Sequence, residues 1–335
     1  MPWYRLDAPP ENPQLHHQTE LVPRNDEQYA AMHLPVKYSK KDRLVQVLLF
    51  IFGGGWIRAI FLLIASLIAI ILESPFYLID YMPSFIRNHF YQYQVIVARI
   101  FVRLMLFGVG VFKINVKGKP HKDARNLIYN HTSITDGPLI FVYKPFTMVM
   151  KSGVKSVPYF GKLFSSVNTC FVDRSATHGN SHFLVKCMED HNLPPIAIAP
   201  EGTISNGSAL FKFRTGGFIA NEMIQPVTLQ YHMYFSYCGA TINWLSDSLF
   251  DFLWQVLCCP LITCDLTFHD PITVEQMKGK TPAEKAVEAE LIMANYLGVL
   301  AGDRTSHEIF LKKQEDEKKP EEKKVLVDKQ KCKSL

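Results

Sequence analysis

Apolar and polar positions divide the 335-residue chain into stretches of different pattern. Residues 1–43 are polar and rich in proline and histidine (PPENPQLHHQ) and show no apolar period, which predicts a mobile or surface-hugging arm. The arm lacks the early apolar stretch of a signal peptide. Residues 44–72, LVQVLLFIFGGGWIRAIFLLIASLIAIIL, are the most apolar part of the chain. Roughly 20 such residues suffice to cross a bilayer core, so this run predicts membrane attachment. Gly53-Gly54-Gly55 and Arg58 interrupt it, and basic residues flank both sides (Lys40, Lys41 and Arg43, then Arg87, Arg99 and Arg103), so the charge pattern sets no orientation. A single span and a re-entrant hairpin bent at the glycines both satisfy the pattern. In residues 95–112, Arg99 and Arg103 stand four apart, on one face of an otherwise apolar helix, which predicts an interfacial or core-packed helix with arginines reaching toward headgroups.

From residue 113 the pattern changes to short apolar strands alternating with helices. KINVKG, NLIYN, TMVMKSG, TCFVDR, PIAIAPEG, IQPVTLQY and CDLTFHD read as strands; segments near 137–143, 156–166, 178–191 and 281–297 read as helices. That alternation predicts an α/β layered domain over about residues 113–300, with a central, mostly parallel sheet flanked by helices. Residues 44–112 form the membrane-embedded and interfacial part; residues 301–335 form a helix end and a solvated Lys/Glu tail. The final CKSL matches a prenylation box only at Cys332 and the terminal leucine, which argues against that modification.

Composition narrows the class. Apolar residues make up 48% and charged residues 20%, which fits a globular body with a membrane-attached portion better than a multi-span transporter. A net charge of +5, with no basic block interleaved with aromatics, argues against nucleic acid as a partner. The seven cysteines form no C-x-x-C pair and read as reduced, mostly buried thiols. The twelve histidines show no ligand spacing with cysteines or carboxylates, so no metal is expected.

The chemistry concentrates in YNHTSITDGP (129–138). On one regular helix His131 and Asp136 would face different sides. They meet if His131 sits in the turn after a strand and Asp136 in the first turn of the next helix, with the Asn130–Thr135 segment supplying cap residues. A carboxylate on one imidazole nitrogen fixes the tautomer and leaves the other nitrogen to take a proton. A capped turn with a chance histidine satisfies the same letters. Four further stretches follow in order: KSGVKSVPYFGKLF (151–164), TCFVDRS (169–175), APEGTISNG (199–207) and IQPVTL (224–229).

NHTSITD, FVDR, PEGT and QPV in this order resemble the four blocks of the glycerolipid acyltransferase family, which includes the 1-acylglycerol-3-phosphate acyltransferases. EGTISNGSALFKFRTGGF and ELIMANYLGVLAGDRTSHE are similar to the lysophosphatidylcholine and lysophosphatidylethanolamine acyltransferase branch. Asn168 stands where the family's second block usually has glycine, Gly217 where that branch has alanine, and no EF-hand loop follows. The resemblance implies acyl transfer from acyl-CoA, a co-substrate and not a cofactor, to the hydroxyl of a lysophospholipid. His131 is the implied general base and Asp136 its orienting partner. Arg174 is implied for the acceptor's phosphate, Glu201, Gly202 and Thr203 for the third block's substrate contacts, and Lys151 and Arg214 for phosphates of coenzyme A or headgroup. In that block the glycine lets backbone amides approach an anion, and the glutamate positions a donor or the acceptor's polar groups. The same likeness implies membrane lipids as partners and an endoplasmic-reticulum site facing the cytosol, with lipid droplets also open. The sequons at Asn130 and Asn206 fall inside these blocks, where a glycan would obstruct the site. Two rival functions remain: a 1-acylglycerol-3-phosphate acyltransferase, and a non-catalytic scaffold of the same fold.

Overall fold

The computed structural model describes residues 4–6, 17–74, 83–156, 161, 169–172, 180–246 and 248–310. Its central strands are β2 (Val111–Lys117), β3 (Asn126–Tyr129), β4 (Thr147–Lys151), β5 (Cys170–Val172), β6 (Ile196–Ile198), β8 (Ile224–Tyr234) and β9 (Leu261–Phe268). They form one sheet in the order β2-β9-β8-β3-β6-β4-β5. All neighbours run parallel except β8 and β9. A short strand β1 (Tyr4–Leu6) adds antiparallel to the far end of β8, and β7 (Ala209–Leu210) pairs separately with β10 (Leu300–Ala301). This is the α/β class that the alternating pattern predicts.

Parallel strands buried on both faces send successive side chains into different cores. Leu127, Ala197, Val227, Leu229 and Tyr231 enter one core, with Leu139–Val142 of α5 (Asp136–Tyr143) and Val256 of α7 (Leu249–Leu257). Ile128, Ile196 and Ile198 enter the opposite core, with Met188 of α6 (Asn180–Glu189) and Met293 of α8 (Pro282–Leu297). The expected helix near 156–166 and the tail after residue 310 fall almost wholly outside the described residues.

The N-terminal arm is docked where it is described. Helix α1 (Asp26–Ala31) starts with a capping box between Asn25 and Gln28 and buries Tyr29, whose hydroxyl donates to Asp303 Oδ1 (2.8 Å). Gln18 bonds the backbone of Val299 and Ala301.

The long apolar run is two helices, α2 (Lys40–Phe52) and α3 (Gly55–Glu73), parted at Gly53-Gly54, with Gly54 left-handed at φ 73°. A side chain there would be strained, so glycine suits the break. Residues 55–72 of α3 are long and apolar enough to cross a membrane by length and composition. Leu44, Val47, Leu48, Ile51 and Phe52 of α2 are exposed, as are Ile57, Ile60, Ile64, Leu67 and Ile71 of α3. Helix α4 (Ser84–Gly108) packs beside α3 and begins well before the expected residue 95.

Two arginines within these helices pair with backbone rather than lipid. Arg58 is buried and donates to the carbonyls of Val256 (3.2 Å), Leu257 (2.7 Å) and Cys259 (3.0 Å), at and just beyond the C-terminal end of α7. The expectation that Arg99 reaches headgroups is corrected. Its Nε donates to Val142 O (2.9 Å) near the end of α5, because those carbonyls lack helix partners. Two helices of the apolar face thus cap two helices of the α/β body. Arg58→Leu should therefore lower stability by about 2–4 kcal/mol, since charged hydrogen bonds are lost and carbonyls stay buried. Thermal unfolding in detergent checks this; an unchanged or raised Tm would instead mean that Arg58 opposes an otherwise favourable lipid contact.

Candidate active site

Register brings the motif loops together. Ile128 of β3 pairs with Ile198 of the parallel β6, so His131 and Glu201, each three residues further on, leave the sheet at the same level. Lys151 ends β4 at this edge, two strands away. In open α/β sheets the crevice beyond the carboxyl ends of the strands is the usual ligand position.

His131 lies in the turn between β3 and α5, and Asp136 opens α5. The structure brings them together: His131 Nδ1 stands 3.0 Å from Asp136 Oδ2. The same oxygen accepts the amides of Thr132 (2.8 Å) and Ser133 (2.8 Å), and Oδ1 accepts the Tyr231 hydroxyl (2.7 Å). Asp136 is fully buried, while the His131 side chain keeps 19% exposure. Its Nε2 has no hydrogen bond to a described residue. An acidic group at a helix start also meets the positive end of the helix dipole. The expected side-chain cap of α5 is not made; Thr135 Oγ1 lies 2.9 Å from Tyr231 Oη and 3.0 Å from Ser133 Oγ instead.

The third block grips the His131 peptide. His131 N–H donates to Glu201 Oε1 (2.9 Å), and His131 O accepts Ser205 N–H (2.9 Å). Glu201 Oε2 accepts Phe211 N–H (3.1 Å), so both carboxyl oxygens hold backbone amides in a fully buried position. In this arrangement Glu201 holds the peptide of His131 rather than presenting a free oxygen. Burial pushes its carboxyl up to about 8, against the lowering effect of the two amides and with a further push from the Asp136 charge.

Gly202 N–H donates to Ala199 O (3.1 Å), and its φ is 72°. A Cβ here would come within 2.7 Å of the Arg214 guanidinium, so glycine lets that group lie close. Arg214 donates to Ser306 Oγ (3.1 Å), and Ser306 donates to Glu201 O (2.6 Å). Thr203 sits half-buried in the same turn. Arg174, two residues past β5, and the side chain of Lys151 lie outside the described residues. Gln225 and Val227 are core residues of β8; Gln225 ties the loops at His121, Lys119 and His269.

Several supporting residues escape a reading of the sequence. Asn130 pairs with the Leu229 backbone through both its amide atoms (2.8 and 3.0 Å), extending the β3–β8 ladder one residue beyond the strand. That buried amide is unavailable to a glycan. Tyr231 could have been found by parity, since Val227, Leu229 and Tyr231 share the face of Tyr129. Glu290, buried on α8, accepts Phe213 N–H (2.9 Å); burial raises its carboxyl well above the usual range. With Glu201 it straps both ends of the 211–213 segment. Among the described residues no cluster of His, Cys, Asp or Glu could hold a metal.

Among known proteins, the Acyltransferase family model matches residues 113–230. Lysophosphatidylcholine acyltransferase 1 of Homo sapiens is 27% identical over 220 residues, covering 61% of this chain and 39% of that protein. The Danio rerio protein of the same name is 29% identical over 205 residues, covering 59% and 39%. A lysophospholipid acyltransferase of Arabidopsis thaliana is 28% identical over 196 residues, covering 56% and 34%. The match thus takes in well under half the length of these relatives. The crystal structure of the 1-acyl-sn-glycerophosphate acyltransferase PlsC of Thermotoga maritima shares the fold, with TM-score 0.53 and 14% identity over 76% of this chain and 96% of that one. Residues 113–230 therefore match an Acyltransferase-family domain, and over them the chain is similar to the lysophospholipid acyltransferases named above.

Proposed function

We propose that the protein transfers an acyl chain from acyl-CoA to the free hydroxyl of a lysophospholipid. The observation that carries this reading is the 3.0 Å contact between His131 Nδ1 and a buried, fully hydrogen-bonded Asp136. Asp136 holds the proton on Nδ1, so Nε2 is the basic nitrogen of a part-exposed ring. Nε2 removes the acceptor's hydroxyl proton as the oxygen attacks the thioester carbonyl. The C–S bond then breaks, and His131 returns the proton to the departing thiolate. The acceptor is itself the nucleophile, so the protein forms no acyl intermediate.

Glu201 and Ser205 act on this step at one remove, by fixing the peptide that carries the imidazole. Arg174 and Lys151 supply cations for the phosphates of acceptor and coenzyme A, a task suited to a planar guanidinium. Arg214 and Thr203 border the edge of the sheet that carries His131. The names of the relatives support a lysophosphatidylcholine or related acceptor over lysophosphatidic acid.

The apolar face of α2, α3 and α4 suits attachment to the endoplasmic-reticulum membrane, where acceptor lipids reside, with the site on the cytosolic side. Lipid droplets offer the same kind of surface.

Two outcomes are expected. Membranes carrying the protein, given labelled acyl-CoA and a panel of lysophospholipids, should acylate at least one choline or ethanolamine acceptor. His131→Ala should lower that rate about 100-fold or more, the usual worth of a general base; equal transfer by both proteins to every acceptor contradicts the reading. Separately, Glu201 keeps its proton in the folded state up to about pH 8, whereas the unfolded chain loses it near its ordinary 4.5. Its contribution to stability is therefore present at low pH and is lost as pH rises through about 8. Between about pH 6 and pH 9, the Tm of wild type should fall more than that of Glu201→Gln, as measured by parallel thermal scans.

A further inference from the structure

We infer that Tyr231 is a positioning residue for the proposed acyl transfer, acting through its hydroxyl on Asp136. This rests on the reading of His131 and Asp136 just given and extends it to a residue on a different strand.

Asp136 has two carboxyl oxygens with unequal tasks. Oδ2 takes three donors, two backbone amides and His131 Nδ1. Oδ1 receives the Tyr231 hydroxyl at 2.7 Å, its one donor among the described residues. A carboxyl group can rotate about its bond to the side chain, and the amides of Thr132 and Ser133 alone hold one oxygen only. A donor on the second oxygen fixes the plane of the group. That plane decides whether an Oδ2 lone pair lies along the Nδ1–H direction.

The scaffold suits this task. Tyr231 is fully buried in the middle of β8, whose neighbour β3 delivers His131, and Tyr129 pairs with Val227 in that ladder. The ring packs in the same core as Leu139 and Ile140 of α5, the helix that Asp136 opens. Thr135 Oγ1, 2.9 Å from the phenol oxygen, gives it a second polar neighbour. Burial and the nearby Asp136 charge push the phenol well above its ordinary range, so the group remains a donor. A phenylalanine would fill the core equally well. The hydroxyl is the part that the packing does not need.

The test is a double-mutant cycle between Tyr231→Phe and Asp136→Asn in the full chain, read two ways. In activity, Tyr231→Phe should lower kcat about tenfold with both KM values unchanged, because the contact matters in the transition state. In the Asp136→Asn background the same change should cost less than about twofold. Loss by the same factor in both backgrounds, or wild-type kcat in Tyr231→Phe, overturns the inference. The second reading is Tm, which needs no acyl transfer. Tyr231→Phe should lower Tm by about 2–4 °C with Asp136 present, and by less than half of that in the Asp136→Asn background, since residues in contact are non-additive. A wild type without acyltransferase activity sinks the functional reading alone, and the Tm cycle still decides the contact. An additive Tm cycle overturns the tyrosine's action on Asp136.

Discussion

A carboxylate removed from water is tolerated only if its oxygens find donors, and Asp136 is fully buried. Much of the site's local structure follows from that requirement. The chain turns sharply after β3 so that the amides of Thr132 and Ser133 point back at Oδ2. The same turn brings Nδ1 of His131 onto that oxygen and starts α5 at Asp136 itself. Tyr231 completes the shell from β8. An imidazole in the mouth of such a shell is held in one tautomer and one direction, which a general base needs.

The turn is itself held from outside by the loop after β6. Glu201 takes the amide of His131 and Ser205 donates to its carbonyl, so the peptide cannot rotate without breaking a bond on each side. Glu201 also ties in Phe211, and Glu290 does the same for Phe213. The C-terminal segment closes the back of the loop through Ser306. Elsewhere, Arg58 and Arg99 reach from the apolar helices to the carbonyl ends of α7 and α5. The apolar helices and the helix that carries Asp136 are therefore joined by charged hydrogen bonds as well as by packing.

Much of this is legible in the sequence, for a physical reason. The strands of a doubly covered sheet are continuous apolar runs, and NLIYN, PIAIAP and IQPVTL stand out as such. The H-x4-D spacing likewise makes sense as a strand-to-helix turn. What stays hidden depends on partners far along the chain. Arg58 and Arg99 look like breaks or headgroup anchors until the helix ends they cover are known. Glu290 sits among charged residues in PAEKAVEAEL, where nothing separates a buried glutamate from a solvated one. Tyr29 is one buried aromatic in an arm without period, and polar bonds such as those of Gln18 leave no hydrophobic trace. The two-residue strands β7 and β10 are too short to show alternation.

The central claim is that the acceptor hydroxyl, activated at His131, attacks the thioester directly. Initial rates over a grid of acyl-CoA and lysophospholipid concentrations test it most directly, alongside an acid quench of protein incubated with labelled acyl-CoA alone. Direct transfer predicts intersecting reciprocal plots and no label left on the protein. Parallel lines with label retained on the protein would show a covalent acyl intermediate and contradict the account.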